Sequence, residues 1–408
     1  MSKTCIVIGA SHAAGQLVTS LRQEGWQGRI LVIGDESELP YHRPPLSKSF
    51  LAGEKTAEEI LIRPQATYEK ADVEFLLNKR VTKIERDIKA ITLDDGQQLF
   101  YDKLALCTGA RVRVAPIPGA ELSGVCYLRT LADVEKIKGH VTNGGNAVIV
   151  GGGYIGLETA AALNKQGMKV TVLEMASRIL ERVTCSQISD FYTRIHQEEG
   201  VDIKTTIQVS ELVGSTKVES VTCANGTKIP ADLVVIGIGI IPNTELAQEA
   251  GLEVDNGIVT DQYAQTNDPN IVACGDCANH PNELYNRRIR LESVPNATDQ
   301  AKSAAASICG KPKAYSALPW FWSDQYDVKL QIVGLNQGYD QIVVRGDINH
   351  SRSFAIFYLK EEVIISVDCI NRPKEFVFSK KLVANKSSIS AKRLADESIQ
   401  VKHLLEIE

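Results

Sequence analysis

Residues 147–174 read AVIVGGGYIGLETAAALNKQGMKVTVLE, and this stretch decides the fold. Its first four residues and the VTVL near its end are apolar, β-branched runs typical of buried strands, and the residues between them predict a helix. Gly151, Gly153 and Gly156 match the pattern G-x-G-x-x-G, in which the first glycine permits a sharp turn, the second lets the backbone approach a pyrophosphate and the third lets helix pack on strand. The stretch therefore predicts a βαβ dinucleotide-binding unit.

The stretch ends in an acidic residue. Glu174 lies 18 residues past Gly156, where a carboxylate can bind both hydroxyl groups of a ribose. A carboxylate there repels a 2′-phosphate, so Glu174 favours NADH over NADPH. Arg178, four residues further on, keeps NADPH open as the alternative. The pyrophosphate is expected on the N–H groups at the start of the helix.

A second, weaker fingerprint lies near the N-terminus. After a predicted strand comes Gly9, with Ser11 and Ala14 in place of the second and third glycines. Both replacements are small, so close approach of a pyrophosphate is still expected. After the next strand Asp35 is the predicted ribose acid, with Glu36 as its rival. Two such units in one chain predict two dinucleotides, a flavin and a nicotinamide.

Length and composition limit the function classes. A chain of 408 residues predicts two or three domains, and a net charge of −5 argues against general nucleic-acid binding. The longest apolar run, residues 233–241, predicts a buried strand and is too short to span a bilayer. The N-terminus lacks the features of a signal peptide, and the nine cysteines are scattered singly, so we expect a cytoplasmic protein with reduced thiols and no membrane segment.

The segment YHRPPLSK at residues 41–48 predicts a rigid loop. Pro44 and Pro45 stiffen it and exclude helix. Arg43 and Lys48 then form a plausible clamp for an anion close to the first pyrophosphate. The alternative is a solvated, proline-braced loop.

Residues 270–278, NIVACGDCA, predict a strand that runs into Gly275 and Asp276 and then a helical segment. Asp276 offers a carboxylate to a polyol. Cys274 and Cys277 form C-x-x-C, and we interpret this pair as incidental to the Gly-Asp turn rather than as a redox pair. A zinc site would need a second ligand pair, and none is nearby, so no metal is predicted.

The C-terminal part of the sequence differs from the rest in its pattern of residues. Ser293 is predicted to cap a helix whose N-terminus can stabilise negative charge on a flavin ring. From Tyr315 the sequence predicts an aromatic-dense segment, four antiparallel strands and a helix, in a small α+β domain. Trp320 and Trp322 are either core residues or part of an interface. Residues 311–408 hold 14 Lys/Arg against 12 Asp/Glu, which favours an acidic partner.

Seven segments resemble the ferredoxin reductases of bacterial oxygenase and cytochrome P450 electron-transfer systems, which are glutathione-reductase-like flavoproteins. The matching segments are YHRPPLSK (41–48), CTGAR (107–111), GGGYIGLE (151–158), GIGIIPNTELA (237–247), ACGDCA (273–278), RLESVPNA (290–297) and PWFWSDQYD (319–327). Departures are Ser11 and Ala14 in the first fingerprint and Cys107, where alanine is frequent in the family. These departures do not change the prediction that the protein binds a flavin.

The resemblance implies an α/β protein with two Rossmann-like domains and a small C-terminal α+β domain. FAD would be bound by residues 1–112 and 243–314, NADH by residues 113–242, and residues 315–408 would help dock an iron–sulfur protein. NADH would pass a hydride to FAD, and single electrons would then leave for a [2Fe-2S] ferredoxin. The monomeric and dimeric states both stay open.

The resemblance also implies roles for single residues. Lys48 and Glu158 would face each other beside the flavin, Arg43 would lie near the pyrophosphate, Asp276 would bind the ribityl chain, Val294 would present its N–H to the ring, and Trp320 would sit between flavin and redox partner. Further cofactor contacts are predicted at Thr108, Gly109, Arg129, Tyr154, Ile155, Gly239 and Gly275.

Three rival functions remain to be weighed. A disulfide reductase of the same fold would carry a cysteine pair in the first domain, and residues 37–60 contain no cysteine. A reductase for rubredoxin or another small acceptor is the stated alternative. A non-enzymatic flavoprotein that senses NADH is the third.

Overall fold

The computed structural model describes residues 3–404. Its strands are β1 Thr4–Ile8, β2 Arg29–Ile33, β3 Val73–Leu76, β4 Val81–Glu85, β5 Ala90–Leu93, β6 Gln98–Phe100, β7 Lys103–Leu106, β8 Ala110–Val112, β9 Val125–Tyr127, β10 Asn146–Val150, β11 Lys169–Leu173, β12 Asp202–Lys204, β13 Val209–Gly214, β14 Val218–Cys223, β15 Lys228–Pro230, β16 Leu233–Ile236, β17 Ile240–Pro242, β18 Ile258–Val259, β19 Ile271–Ala273, β20 Ala278–Asn282, β21 Arg287–Ile289, β22 Trp320–Gln325, β23 Val328–Gly334, β24 Gln341–Gly346, β25 Phe354–Lys360 and β26 Val363–Ile370. The α-helices are α1 His12–Glu24, α2 Gln65–Lys70, α3 Leu131–Lys138, α4 Tyr154–Lys165, α5 Ser186–Glu198, α6 Glu245–Glu249, α7 Val294–Ile308, α8 Pro373–Ala384 and α9 Ala391–Ala395.

The described residues form two compact units. Unit 1 comprises Met1–His42, Ala57–Arg111 and Ile241–Pro319, and unit 2 comprises Arg43–Thr56, Val112–Ile240 and Trp320–Glu408, each as far as the structure describes it. No helix of residues 3–404 is long and apolar enough to cross a membrane.

Unit 1 is built on a parallel sheet with the strand order β19-β7-β1-β2-β3. The strands are short, apolar and buried on both faces, as parallel sheets require. Helices α1 and α7 pack against one face through a cluster of small and branched side chains. A three-stranded antiparallel sheet, β4-β5-β6, contributes to the core on the other face. The predicted first Rossmann-like fold is confirmed.

Unit 2 contains two larger sheets. The parallel sheet β12-β11-β10-β16-β9 holds the stretch from which the fold was predicted, with β10 at its centre. The antiparallel sheet β22-β23-β26-β25-β24 forms the C-terminal α+β part, and α8 packs on β23 and β26. The α/β class with a C-terminal α+β segment is therefore confirmed, whereas the division into three domains stays a prediction.

Two predicted elements are wrong in detail. Residues 233–241 do not form one strand, because the chain leaves the sheet after β16 and turns through Gly239, whose φ is +104°, before β17. The residues after Asp276 are not helical but form β20, which pairs with β21. Pro281 lacks the N–H that a helix interior would use, and it lies at a strand position instead.

Two further elements were not foreseen. The aromatic-dense segment is itself a strand, β22, which pairs with β23 along its full length. The prolines of the loop at residues 41–48 were expected to exclude helix, yet Pro44–Ser47 forms a 3₁₀ turn. Proline is tolerated in a first helical turn because its missing N–H has no partner there.

A buried polar cluster ties the C-terminal sheet to the rest of unit 2. Asp368 on β26 is fully buried, and its Oδ2 accepts hydrogen bonds from Tyr358 Oη at 2.6 Å and Thr184 Oγ1 at 2.8 Å. Burial raises the pKa of Asp368 from 3.8 to about 6, although the two donors partly oppose the shift.

This shift predicts a pH-dependent cost to stability. Between pH 3.8 and about 6 the unfolded chain loses the Asp368 proton while the folded chain keeps it, so folding loses up to ~3 kcal/mol as pH rises through this window. Asp368→Asn keeps an acceptor for both donors and removes the titration. We expect the variant to gain stability relative to the wild type between pH 4 and pH 7.5, measured by urea unfolding. A constant difference across pH would contradict this.

Candidate dinucleotide-binding sites

The glycine loop of unit 2 has the geometry that its sequence predicts. A Cβ on Gly151 would come within 2.4 Å of Gly237 O, and one on Gly156 would come within 2.1 Å of Gly151 O. Gly153 has nothing within 4 Å of its Cβ position. The first and third glycines are thus sterically required, and the second borders open space, as expected for a loop that admits a pyrophosphate.

Helix α4 starts directly after this loop, and its first turn carries Tyr154 and Ile155 and no acidic residue. The positive end of the helix is therefore available to an anion. Ile155 is exposed, and Tyr154 packs against Phe321, with ring centroids 4.9 Å apart.

Glu174 lies at the end of β11, beside the glycine loop. Its Oε2 accepts a hydrogen bond from Gly152 N at 2.6 Å, and its Oε1 accepts one from Ala176 N at 2.8 Å. The carboxylate is therefore held at the loop where a ribose is expected to bind.

Arg178 is committed to other partners. Its guanidinium donates to Ser189 Oγ at 2.6 Å and to the backbone oxygens of Glu181 and Thr184, both at 3.0 Å. Using Arg178 to bind a 2′-phosphate would break these bonds, which favours NADH over the NADPH alternative.

The loop of unit 1 repeats the tight first turn. A Cβ on Gly9 would lie 2.2 Å from Cys107 O, and the φ of Gly9 is +106°. Ser11 is the N-cap of α1, and Ala14 is buried in its first turn, which carries no acidic residue. The replacements at the second and third positions therefore preserve the strand–turn–helix geometry, and α1 offers its N-terminus to an anion.

The ribose acid of unit 1 is less clear from geometry. Gly9 N bonds Ile33 O as Gly151 N bonds Leu173 O, so Gly34, and not an acid, occupies the position equivalent to Glu174. Asp35 is exposed and pairs with Arg80 at 3.0 Å. The side chain of the rival, Glu36, accepts a hydrogen bond from Tyr41 Oη. The choice between the two acids stays a prediction.

A second helix N-terminus meets the same region of unit 1. The Cβ position of Gly275, whose φ is +88°, lies 3.2 Å from Ala13 Cβ and 3.8 Å from Ala297 Cβ, so the Gly275-Asp276 turn lies between the starts of α1 and α7. Ser293 caps α7 as predicted, accepting a hydrogen bond from Asn296 N, and Val294 is the first residue of the helix. Asp276 thus lies where both helix N-termini converge.

The turn at Thr108 and Gly109 is tied to Asn243. Thr108 Oγ1 donates to Asn243 O at 2.7 Å, and Asn243 N donates to Gly109 O at 2.9 Å.

In unit 2, Arg43 donates to Arg129 O at 2.8 Å, and Gly239 O accepts from Arg113 N. These predicted cofactor residues occupy ordered turns, and their ligand contacts stay predictions.

Lys48, which is partly buried, and Glu158, which is buried, form an ion pair, and the resemblance implied that they would face each other. Glu158 lies on α4 and is 2% exposed, and its Oε2 is 2.5 Å from both Lys48 Nζ and Ser47 Oγ. Its Oε1 accepts from Ser323 Oγ at 2.6 Å. Sequence reasoning missed both serines, because a serine in a loop or a strand carries no signal of its own.

Trp320 belongs to an aromatic group in the C-terminal part of unit 2. Its ring centroid lies 5.5 Å from that of Trp322 and 5.6 Å from that of Phe376. Lys380 Nζ lies over the rings of Trp320 and Phe376, at 4.6 and 4.5 Å from their centroids. Both tryptophans are partly exposed, so core and interface roles are compatible with their packing.

The nine cysteines are all thiols in the described residues. Cys107 Sγ lies 3.5 Å from Cys274 Sγ, whereas the thiol of Cys277 is directed to the backbone oxygens of Leu106 and Cys274. The C-x-x-C residues form no disulfide in the described residues, and the interpretation of the motif as incidental stays a prediction. Among residues 3–404, no group of three or more His, Cys, Asp or Glu side chains is arranged to hold a metal ion.

Two family models cover the chain. Residues 3–301 match the model for pyridine nucleotide-disulphide oxidoreductase, and residues 320–405 match the model for reductase C-terminal. The chain belongs to the pyridine nucleotide-disulphide oxidoreductase family.

The relatives extend over nearly the whole chain. A putidaredoxin reductase of Pseudomonas putida is 45% identical over 98% of this chain and 96% of its own. The ferredoxin reductase subunit of a 5,5'-dehydrodivanillate O-demethylase of Sphingobium is 40% identical over 98% of both chains. A rubredoxin-NAD(+) reductase of Pseudomonas putida is 38% identical over 90% of this chain and 96% of its own. Among solved structures, that of the covalent putidaredoxin reductase–putidaredoxin complex matches with a TM-score of 0.96 at 45% identity, covering 99% of this chain and 98% of that one.

The geometry fits two dinucleotides. Each unit contains a parallel sheet, a glycine turn that tolerates no larger residue and a helix that presents a first turn without acids. FAD and NADH both carry a pyrophosphate and ribose groups, which are the groups that such turns and helix N-termini bind.

Glu174 generates a prediction on cofactor choice. Glu174→Gln keeps the side-chain length but removes the charge that excludes a 2′-phosphate, so we expect the ratio of kcat/KM for NADH over NADPH to fall about 10-fold or more. Glu181→Gln is the matched control, because Glu181 lies in the same loop and accepts from Ser177 Oγ and Arg178 N instead. An unchanged ratio in Glu174→Gln would remove this residue from cofactor selection.

Proposed function

We propose that this protein is an NADH-dependent FAD reductase that delivers single electrons to a [2Fe-2S] ferredoxin, which in turn supplies an oxygenase or a cytochrome P450. The observation that carries the proposal is whole-chain similarity, at 45% identity and a TM-score of 0.96, to a putidaredoxin reductase whose structure was solved in a covalent complex with putidaredoxin. The C-terminal segment is included in that similarity, and it is the segment that the resemblance assigned to docking.

Bound FAD would take up a hydride from NADH and release electrons one at a time. The proposed binding regions are residues 1–112 and 243–314 for FAD and residues 113–242 for NADH. Glu174 binds the ribose of NADH, and Asp276 and Val294 bind FAD.

Lys48 and Glu158 have a shared task in this proposal. A cation stabilises the negative charge that a reduced flavin carries, so Lys48 favours hydride arrival. The carboxylate of Glu158 orients the ammonium group, which in turn compensates the buried charge of Glu158. No proton has to be donated for the hydride transfer itself.

A cytoplasmic location is part of the proposal. Eight of the nine thiols are buried and Cys309 is partly buried, an arrangement suited to a reducing compartment.

The ferredoxin acceptor and the rubredoxin alternative are separated by one experiment. The purified protein, loaded with FAD, is mixed with NADH and either a [2Fe-2S] ferredoxin or a rubredoxin, and reduction of the acceptor is followed by absorbance. We expect turnover with a ferredoxin at a kcat/KM at least 10-fold above that with rubredoxin. Preference for rubredoxin would establish the alternative, and turnover with neither would contradict the proposed function.

The outer face of α8 is the proposed docking surface. It exposes Lys374, Val377 and Lys381, with Val377 65% exposed, and Lys380 of the same helix stacks on Trp320. An apolar side chain among lysines suits an acidic partner that is steered by charge and released quickly. Arg393, a further basic residue of the C-terminal part, donates to His403 O at 2.7 Å and is part of the C-terminal packing.

Reversing one charge on this face tests the docking surface. Lys381→Glu is expected to lower kcat/KM for ferredoxin about 10-fold at low ionic strength and less at high ionic strength, because the attraction is screened by salt. Flavin reduction by NADH should not change. Lys360→Glu, an equal charge change at an exposed strand end, is the control. Equal losses in both variants would argue against a specific surface on α8.

A further inference from the structure

A chain of hydrogen bonds leads from the Lys48–Glu158 pair into the interior of unit 2. Ser323, which donates to Glu158 Oε1 at 2.6 Å, is followed by Gln325 two residues later on the same face of β22. Gln325 Nε2 lies 3.1 Å from Ser323 Oγ, and Gln325 Oε1 lies 2.8 Å from His196 Nε2. Gln325 is 1% exposed and His196 is fully buried, so solvent does not replace these bonds.

The chain continues more weakly at its outer end. Tyr326 Oη lies 3.5 Å from His196 Nδ1, and the two rings meet edge to face with centroids 5.2 Å apart. His196 therefore has a ring contact on one side and a short polar contact on the other.

The capacity of each group to donate or accept fixes the direction of the hydrogen bonds between Glu158 and His196. An ionised carboxylate only accepts, so Ser323 donates its single proton to Glu158. The lone pair of Ser323 Oγ then accepts from the amide nitrogen of Gln325, which leaves the amide oxygen as an acceptor. His196 must supply the proton for that oxygen, so its Nε2 carries a hydrogen. Burial lowers the pKa of His196, which agrees with a neutral ring.

This chain does not serve as a proton wire. A primary amide has no proton that it gives up near neutral pH, so Gln325 interrupts any relay between Glu158 and His196. What remains is a row of dipoles that all point their donors towards one carboxylate. Such a row strengthens each of its bonds and holds the carboxylate in one orientation.

We propose that His196 and Gln325 are positioning residues that, acting through Ser323, hold Glu158 in place and thereby fix the ammonium group of Lys48 for flavin reduction. The proposal rests on the proposed function, because Lys48 acts on the flavin only there. Occupying Oε1 with Ser323 reserves Oε2 for Lys48 and Ser47. Without the chain, Glu158 would be free to rotate and to draw Lys48 with it.

Two substitutions at His196 separate the donor from the ring. His196→Phe keeps the ring contact with Tyr326 and removes the Nε2–H donor. His196→Gln loses the ring but keeps an N–H donor at a comparable reach. If the donor matters, the rate of flavin reduction at saturating NADH falls about 10-fold in His196→Phe and stays within about twofold in His196→Gln, with KM for NADH unchanged in both. The reverse order would show a packing role and would overturn the proposal.

A pair of serine variants gives an independent measurement. Ser323→Ala removes the donor to Glu158 and is expected to slow flavin reduction about 10-fold. Ser366→Ala is the matched control, because Ser366 is equally buried in the same sheet and donates to Val333 O at 2.8 Å instead. Equal rates in the two variants would overturn the proposal, even if a His196 variant fails to fold.

A double substitution tells failure of this inference from failure of the proposed function. If Ser323 acts through Lys48, the double variant Ser323→Ala, Lys48→Met should reduce its flavin at the same rate as Lys48→Met alone. If the two substitutions act independently, their effects on this rate would multiply, and the inference would be overturned. A Lys48→Met enzyme that reduces its flavin at the wild-type rate would also overturn it, since the chain would then position nothing of consequence. The proposed function is judged separately, by turnover of the wild-type protein with a ferredoxin.

Discussion

Glu158 is a charged group placed where charge is costly, and much of unit 2 is arranged around that constraint. A buried carboxylate without partners would destabilise the fold by several kcal/mol. The structure surrounds it with a cation from one segment, a hydroxyl from the same segment and a hydroxyl from a distant strand. Because α4 also begins at the glycine loop, the residue that holds Lys48 and the backbone proposed to bind a pyrophosphate are joined by one helix. A nucleotide docked on the loop therefore has a fixed relation to the ion pair.

Steric limits at the glycine turns explain why the two units match G-x-G-x-x-G to different degrees and still keep the same strand–turn–helix geometry. A Cβ on Gly9 or Gly151 would overlap the backbone oxygen of the residue that follows the neighbouring strand, and a backbone cannot move aside as a side chain can. The second position faces open space instead, as Gly153 shows, so serine is tolerated there in unit 1. Only at the first position, Gly9 and Gly151, does overlap with a backbone oxygen require glycine in both units.

The sequence predicted those parts of the fold whose signals are local. The strand, turn and helix at residues 147–174 follow from the pattern of apolar residues and from the spacing of the glycines. The cap at Ser293 and the turn at Gly275 likewise follow from local sequence. Strand β22 was not predicted because its aromatic side chains suggested a cluster rather than an alternation. Strand β20 was predicted to be helical, although Pro281 lacks the N–H that a helix interior uses. Hydrogen bonds between Glu158 and Lys48 or Ser323 join residues 110 and 165 positions apart, and no spacing in the sequence encodes such contacts.

The C-terminal sheet is more than a docking module added to a nucleotide-binding fold. Ser323 on β22 supplies one of the bonds that Glu158 requires, and Asp368 on β26 takes a bond from Thr184. Both contacts join the sheet to the rest of unit 2 through buried polar groups, so losing either partner side chain would leave a buried polar group unsatisfied. Strand β22 carries Trp320, which contacts Lys380 of α8, at one end and Gln325 at the other, so one strand links the helix proposed for docking to the support of the ion pair.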